Sequence, residues 1–455
     1  MDDEFDALVS SIRERVEPSA AERADLETAM EILTQRVDEA VADLPVETEI
    51  IQVGSTARDT WLAGERDIDL FVRFPPTLDR EKLERYGLEV GHRVLPDGQE
   101  VFAEHPYVLG EVEGFKIDLV PCYDIDDAAN IKSAVDRTPF HTEYVEEHLT
   151  PELAEDVRVC KQFFTGIGVY GSDLKTRGFS GVLTELLVLE YGGFRPLIDA
   201  AAEWTPPVRF DPEDHGTETF DDPLVMIDPT DPGRNVAAVL SAANLARVQH
   251  FARELRKEPR ESLFFPEPPE PVDEKRVREE FARRGTTPIA ITFTPPDIVD
   301  DQLWPQLERS RTGIREELDR KGFDVFRSDV FVQDRAVLLF ELSVPERPSV
   351  ERHEGPPVHV AEHATRFYET YEDDDETYGP FIDDNRYVVE REREFSSAVA
   401  FLESDALFDV SLGTHIASAL EDDYELLVDG ELGALADEFG AEFARYLSPT
   451  PRGKR

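Results

Sequence analysis

The chain has 455 residues, more than one hydrophobic core accommodates, so three or so domains are expected. Hydrophobic residues make up 40% and aromatics 9%, enough to bury real cores, which excludes a disordered acidic chain. Acidic residues number 99 against 48 basic ones, a net charge of −51 spread along the whole length. Of the basic residues 39 are Arg and only 9 are Lys. A uniformly acidic, lysine-poor surface on an ordinary core points to molar intracellular salt, where the Debye length falls to ~3 Å. Long-range repulsion is then screened, and the acidity does not exclude a nucleic-acid partner. No apolar run approaches the ~20 residues that span a bilayer. The acidic, amphipathic start MDDEFDALVSSIRERVEP is unlike a signal peptide, so a cytoplasmic protein with no membrane partner is expected. Cys122 and Cys160 make neither a disulfide framework nor a zinc cluster.

Residues 1–45 read as two helices, with Leu26, Met30, Leu33, Val37 and Val41 three to four apart. The stretch EIIQVGSTARDTWLAGERDIDLFVRFP reads strand, Gly-Ser turn, short helix, turn, strand, and a third strand, FKIDLVP, ends at Pro121. From Leu149 to about Phe264 the pattern is mostly helical, broken by the loop WTPPVRFDPEDHG, and the prolines of FFPEPPEPVDE mark a linker. Beyond it TPIAITF is a strand, Leu303, Leu307, Ile314 and Leu318 mark a helical face, and FDVFRSDVFVQ and RAVLLFELSV are two more strands. This β-α-β-β order begins a ferredoxin-like sandwich, which helices in 395–448 would complete. Pro345 to Arg393, containing EDDDE, reads as an insertion.

The strongest chemical signal is Gly54-Ser55 followed by Asp67-Ile68-Asp69. Alternate side chains of a strand share a face, so Asp67 and Asp69 project together with Cα atoms about 7 Å apart. Asp118, inside the apolar strand KIDLVP, is a third acid, costly to bury unless paired or metal-bound. Such acids converge on hard divalent cations, and two cations stabilise the attacking and leaving oxygens of an in-line displacement at phosphorus. Gly54 permits close approach of a triphosphate, Ser55 and the following helix N-terminus supply donors, and Arg58 lies one turn along. In a chain with 99 acids a D-x-D pair alone is ordinary surface. The specificity lies in its combination with the turn and with Asp118.

These segments resemble the archaeal-type (class I) CCA-adding enzymes. GSTARDTWLAGERDIDLFVRFP is similar to the family's nucleotidyltransferase signature and KIDLVPCY to its third-acid strand. AVDRTPFHTEYV, VRVCKQFFTGIGVYGSDLKTRGFSGVLTELLVLEYGGF and DPTDPGRNVAAVLS also look like that family, so the likeness is dense over roughly residues 50–250. The first acid of the pair varies between Asp and Glu in the family and is Asp67 here. The resemblance implies an α+β multidomain fold: a polymerase-beta-like nucleotidyltransferase domain over 1–147 and a mostly helical central domain over 148–265. A ferredoxin-like C-terminal domain over 266–344 and 395–455 would follow, with an α/β tail insertion at 345–394 contacting tRNA. It implies addition of CCA to tRNA from CTP and ATP with Mg²⁺ at a two-metal site. Asp67, Asp69 and Asp118 would hold the metal, with Asp118 also helping to activate the primer hydroxyl. Gly54, Ser55 and Arg58 would seat the triphosphate, His141, Lys161 and Tyr170 would complete the nucleotide site, and Arg234 would read the base edge. The implied partner is the acceptor and TΨC arm of tRNA, and a homodimer is compatible with it.

Simpler readings stand beside these. His141 also reads as a core histidine, Tyr170 as packing, and Arg234 as the partner of a nearby Asp, whereas Lys161 among apolar residues needs an anion. Basic islands at 157–181 and 241–260, each +3, suggest phosphate contacts or helix-surface ion pairing. Rival activities are a poly(A)-type polymerase, a small-molecule nucleotidyltransferase and a non-catalytic RNA-binding protein.

Overall fold

The computed structural model describes residues 2–102 and 104–451, and residues 452–455 of the expected C-terminal domain lie outside it. The chain forms two compact units, Met1–Glu267 and Pro268–Arg455, divided within the proline-rich linker. Among the described residues, no helix is long and apolar enough to cross a membrane.

The first unit opens with helices α1 (Asp2–Val16) and α2 (Ala20–Val41), the latter started by a Ser19–Glu22 capping box. Strand β1 (Glu49–Val53), the single turn α3 (Gly54–Ala57), strand β2 (Asp67–Phe74) and helix α4 (Arg80–Val94) follow. Strands β3 (Gln99–Phe102), β4 (Pro106–Val112) and β5 (Phe115–Tyr123) complete a five-stranded mixed sheet of order β1-β2-β5-β4-β3. Among the described residues of this sheet, β2 and β5 are the one pair of neighbours joined in parallel. Its core joins Leu33 and Val37 of α2, Leu83 and Val90 of α4, and Ile68, Leu70, Ile117 and Leu119 of the central strands.

Strand β5 runs past Pro121 to Tyr123. Proline is tolerated because β4 pairs only as far as Leu119, leaving Pro121 bonded on one side alone, to β2. Gly87 and Gly91 interrupt the apolar stripe of α4. Both glycines lie against the sheet, where added Cβ atoms would collide with Pro121 and Val108.

Helices α5 (Arg137–His148), α6 (Pro151–Gly166), α7 (Gly181–Tyr191) and α8 (Phe194–Ala201) come next. The region expected to be mostly helical also contains a three-stranded sheet, β6 (Val208–Phe210), β7 (Leu224–Asp228) and β8 (Asp231–Asn235), before α9 (Ala242–Lys257). Strands this short leave no period to read. A second correction concerns α1. Assigned from sequence to the catalytic domain, it instead buries Phe5, Val9, Ile12 and Val16 in the core formed by α6–α9, with Phe5 stacked on Phe194 at 6.2 Å. An amphipathic stripe shows that a helix packs, not against which neighbour.

The second unit comprises α10 (Glu274–Arg284), β9 (Thr287–Phe293), α11 (Asp300–Arg320), β10 (Val325–Val332) and β11 (Ala336–Leu342). Then come β12 (Val350–Pro357), α12 (Ala361–Tyr371), β13 (Thr377–Asp383) and β14 (Arg386–Glu392), a separate three-stranded sheet with one helix where the insertion was expected. Helices α13 (Ala398–Leu402) and α14 (Thr414–Asp422), strand β15 (Glu425–Val428) and helix α15 (Ala436–Leu447) finish the unit. The main sheet has order β10-β11-β9-β15 and is antiparallel throughout, the ferredoxin-like arrangement. Both its faces are covered. Ile289, Ile291, Leu338 and Phe340 pack with α11 and α14, and Ala290, Val337 and Leu339 with α10 and α15.

On this second face Glu341 is fully buried. It accepts hydrogen bonds from Arg284 Nε (2.6 Å), Arg284 Nη2 (3.0 Å), Thr286 Oγ1 (2.6 Å) and Tyr446 Oη (2.9 Å). Removing one member of such a cluster strands the rest. Glu341→Ala is expected to destabilise the second unit by about 3 kcal/mol, measured as a lowered thermal midpoint. An unchanged midpoint would show that Arg284 and Tyr446 are satisfied by water.

Candidate functional site

Antiparallel pairing of β1 with β2 sets Val53 beside Asp69, so the chain turns at Gly54 directly over that carboxylate. Gly54 has φ +78°, and a Cβ there would overlap Asp69 Oδ2. Glycine is needed twice here, for the backbone angle and for the space. The expected helix after the turn is only Gly54–Ala57, a single turn in which a macrodipole does not build up. Its contribution is local N–H groups and the half-buried Ser55.

Parallel pairing of β2 with β5 places Asp69 opposite Asp118 and Asp67 opposite Lys116. Burial pushes the Asp69 carboxyl up to about 6, with the negative charges of Asp118 and Asp67 adding to it. Burial likewise raises Asp118, whose Oδ1 is enclosed with no hydrogen-bond partner. Tyr107 on β4 is raised too, by burial and by the charges of Asp118 and Asp69. Asp67 is largely exposed, and the Lys116 Nζ stands 4.0 Å from its Oδ1. Among the described residues no three His, Cys, Asp or Glu side chains are close enough to enclose a metal as they stand. Two acids are brought face to face and the third lies at the rim of the same edge. Like charges crowded together with an orphaned buried oxygen suit an arriving divalent cation, which supplies the missing positive charge.

The cations expected to meet phosphate are held by protein partners. Arg58 is buried, donating from Nη1 to Thr142 Oγ1 at 2.9 Å and from Nε to Glu185 Oε1 at 3.2 Å, with Nη2 2.9 Å from Glu185 Oε2. Lys161 Nζ donates to the Thr60 carbonyl (2.8 Å) and Thr60 Oγ1 (3.1 Å) and stands 4.0 Å from Glu185 Oε1. Burial lowers the Lys161 pKa, and Glu185 works against that. Burial raises the Tyr170 hydroxyl, with the charges of Glu65 and Glu185 adding to it.

His141 and Arg234 form a second group on the fully buried Asp228. His141 Nε2 and Arg234 Nη1 each lie 2.7 Å from Asp228 Oδ2, and Thr230 donates twice to Oδ1. Burial pushes Asp228 up, but the hydrogen bond and charge of His141, with Thr230 and Arg234, outweigh it and hold the carboxyl well below the usual range. Both the buried histidine and the Arg–Asp pair read from sequence are present.

In the basic island at 241–260, Arg253 donates to the Ala202 carbonyl and two other arginines form surface ion pairs. Arg256 meets Asp199 and Glu203, and Arg260 meets Glu254 and Glu258. In the other, Arg158 and Lys161 are buried on protein partners. Sequence reasoning passed over Glu185 and Asp228. Glu185 carries the signal that exposed Asp118, an acid in an apolar run, TELLVLEY.

Residues 34–141 match the family model for a nucleotidyltransferase domain, and residues 155–265 the second domain of tRNA nucleotidyltransferases. Residues 284–429 match the C-terminal domain of the CCA-adding enzyme. Fold and site thus define a nucleotidyltransferase, a class that works on nucleoside triphosphates with a divalent metal. A CCA-adding enzyme of Haloarcula marismortui is 58% identical over 99% of this chain and 100% of its own length. Those of Halorubrum lacusprofundi and Methanosarcina acetivorans are 56% and 40% identical, over 99% and 94% of this chain and 100% and 95% of their own. The chain belongs to the CCA-adding enzyme family.

Proposed function

We propose that this protein adds C, C and A in turn to the 3′ end of tRNA, without a nucleic-acid template, from CTP and ATP with release of pyrophosphate, and repairs truncated ends the same way. The observation that carries the reading is identity over nearly the whole chain to CCA-adding enzymes, joined to Asp69 facing Asp118 beneath the Gly54 turn.

Asp67, Asp69 and Asp118 would hold Mg²⁺ as a pair of ions. When bound, these ions neutralise charge on the transferring phosphoryl group. The chain's own residues do the rest. Gly54 and Ser55 seat the triphosphate, and Arg58 and Lys161 face its charge. Asp118, through its unpartnered Oδ1, accepts the proton of the primer 3′-hydroxyl. Tyr170 closes the apolar side of the nucleotide pocket. Asp228 orients His141 and Arg234, and the exposed part of the Arg234 guanidinium reads the Watson–Crick edge of the incoming base. The second unit, with residues 345–394, grips the acceptor and TΨC arm through shape and phosphates, the usual mode for double-stranded RNA. A cytoplasmic location and a homodimeric assembly belong to the same proposal.

The test is direct. Purified protein in molar KCl is given tRNA ending at the discriminator base, Mg²⁺, and CTP and ATP together or singly. Three added nucleotides with both, and two with CTP alone, are expected. Long runs of A with ATP alone would favour a poly(A)-type polymerase, and no extension would end the reading.

A further inference from the structure

Glu185 is the one buried carboxylate of α7, at 0% exposure among Leu183, Leu186 and Leu187. A lone carboxylate there is costly, so its partners must compensate. They are Arg58, 5% exposed, and Lys161, 2% exposed, the two cations assigned above to the triphosphate. Glu185 Oε1 accepts from Thr60 Oγ1 at 2.6 Å as well as from Arg58 Nε, and Thr60 in turn accepts from Lys161 through both its carbonyl and its hydroxyl. One acid on α7 therefore ties down Arg58 and Thr60, which follow the Gly54–Ala57 turn, and through Thr60 the lysine on α6. Two cations share a single carboxylate, and the positive charge left over lies on the side chains assigned to phosphate.

We propose that Glu185 is a positioning residue for nucleotidyl transfer, holding Arg58 directly and Lys161 through Thr60 in the orientation that meets the nucleotide's triphosphate. The inference rests on the nucleotidyl-transfer reading above and assigns Glu185 no contact with substrate. Glu185→Gln acts in two opposed ways. Removing the negative charge strengthens the field on the triphosphate. The amide N–H₂, however, must face a donor, Arg58 or Thr60, and Lys161 loses its nearest anion in a buried place that already disfavours its charge. Orientation and a charged lysine are both lost, and the net effect is weaker triphosphate binding.

Steady-state kinetics on the full-length protein, with thermal melting as the folding control, test this. For Glu185→Gln, KM for CTP and for ATP are expected to rise by a common factor on the order of tenfold. Inhibition by inorganic pyrophosphate should weaken in parallel, while KM for tRNA stays unchanged. Because Glu185 acts through Arg58, Arg58→Lys/Glu185→Gln should be no worse than Arg58→Lys alone. A lower melting temperature with unchanged nucleotide KM, or additive losses in the double variant, would overturn the proposal and leave Glu185 purely structural. If Glu185→Gln does not fold, Glu185→Asp, which keeps the charge but shortens the arm, must show the same pattern. Wild-type protein that fails to extend tRNA would instead sink the parent reading.

Discussion

Asp69→Asn is expected to lose CCA addition by a factor on the order of 10³ or more, the scale for removing a group that stabilises charge in a transition state, while tRNA binding stays near wild type. Asp69 is central because it alone sits where three features meet: the face shared with Asp67, the register with Asp118 and the underside of the Gly54 turn. The same substitution should make the metal-free protein more stable. The Asp69 carboxyl is raised to about 6 by burial and by its acidic neighbours, whereas an unfolded Asp titrates near ~3.9. Between those values the folded state binds the proton more tightly, so stability falls as pH rises, and above about 6 the full penalty, up to about 3 kcal/mol, is present. Melting in chelator at pH 7.5 should therefore show Asp69→Asn above wild type, with the difference closing below about pH 4. Turnover within tenfold of wild type would remove Asp69 from the reaction. A lower melting temperature at pH 7.5 would mean that the carboxylate is held by favourable contacts.

Gly54→Ala is the second large effect. The added Cβ overlaps Asp69 Oδ2, and the φ of +78° is one that alanine adopts at a cost of about 1–2 kcal/mol. Either the turn tilts or Asp69 swings away from Asp118. Misplacement of a reacting group by ~1 Å costs about 10²-fold, and a loss of that order is expected for CTP and ATP alike. The fold and tRNA affinity should survive, since the turn lies at the end of β1 outside the main core of its sheet. Wild-type kcat/KM in this variant would show that the turn does not approach the triphosphate.

The site was partly legible in the residues. A Gly-Ser turn between strands, a D-x-D pair and an acid inside KIDLVP each mark a place where an apolar pattern is broken by a group that is costly to bury. The same rule would have found Glu185 in TELLVLEY, but α7 reads as an ordinary core helix. Asp228 was hidden differently. It ends β7 in a hairpin full of Asp and Pro, where an acid is unremarkable until His141, 87 residues earlier, is seen against it.

What the sequence by itself determined is local and periodic: the apolar stripe of α2, the apolar face of α11, the two strands β10 and β11, the proline linker, and the alternation that puts Asp67 and Asp69 on one face. Those features depend on neighbours a few residues away. Tertiary structure alone decided that α1 leaves the catalytic sheet for the core of α6–α9, that Asp69 meets Asp118 while Asp67 meets Lys116, and that Arg58 and Lys161 share Glu185. Each of these is a choice between partners distant in the chain. Such choices turn on strand register and on which buried charge finds its counter-charge, and neither leaves a period in the sequence.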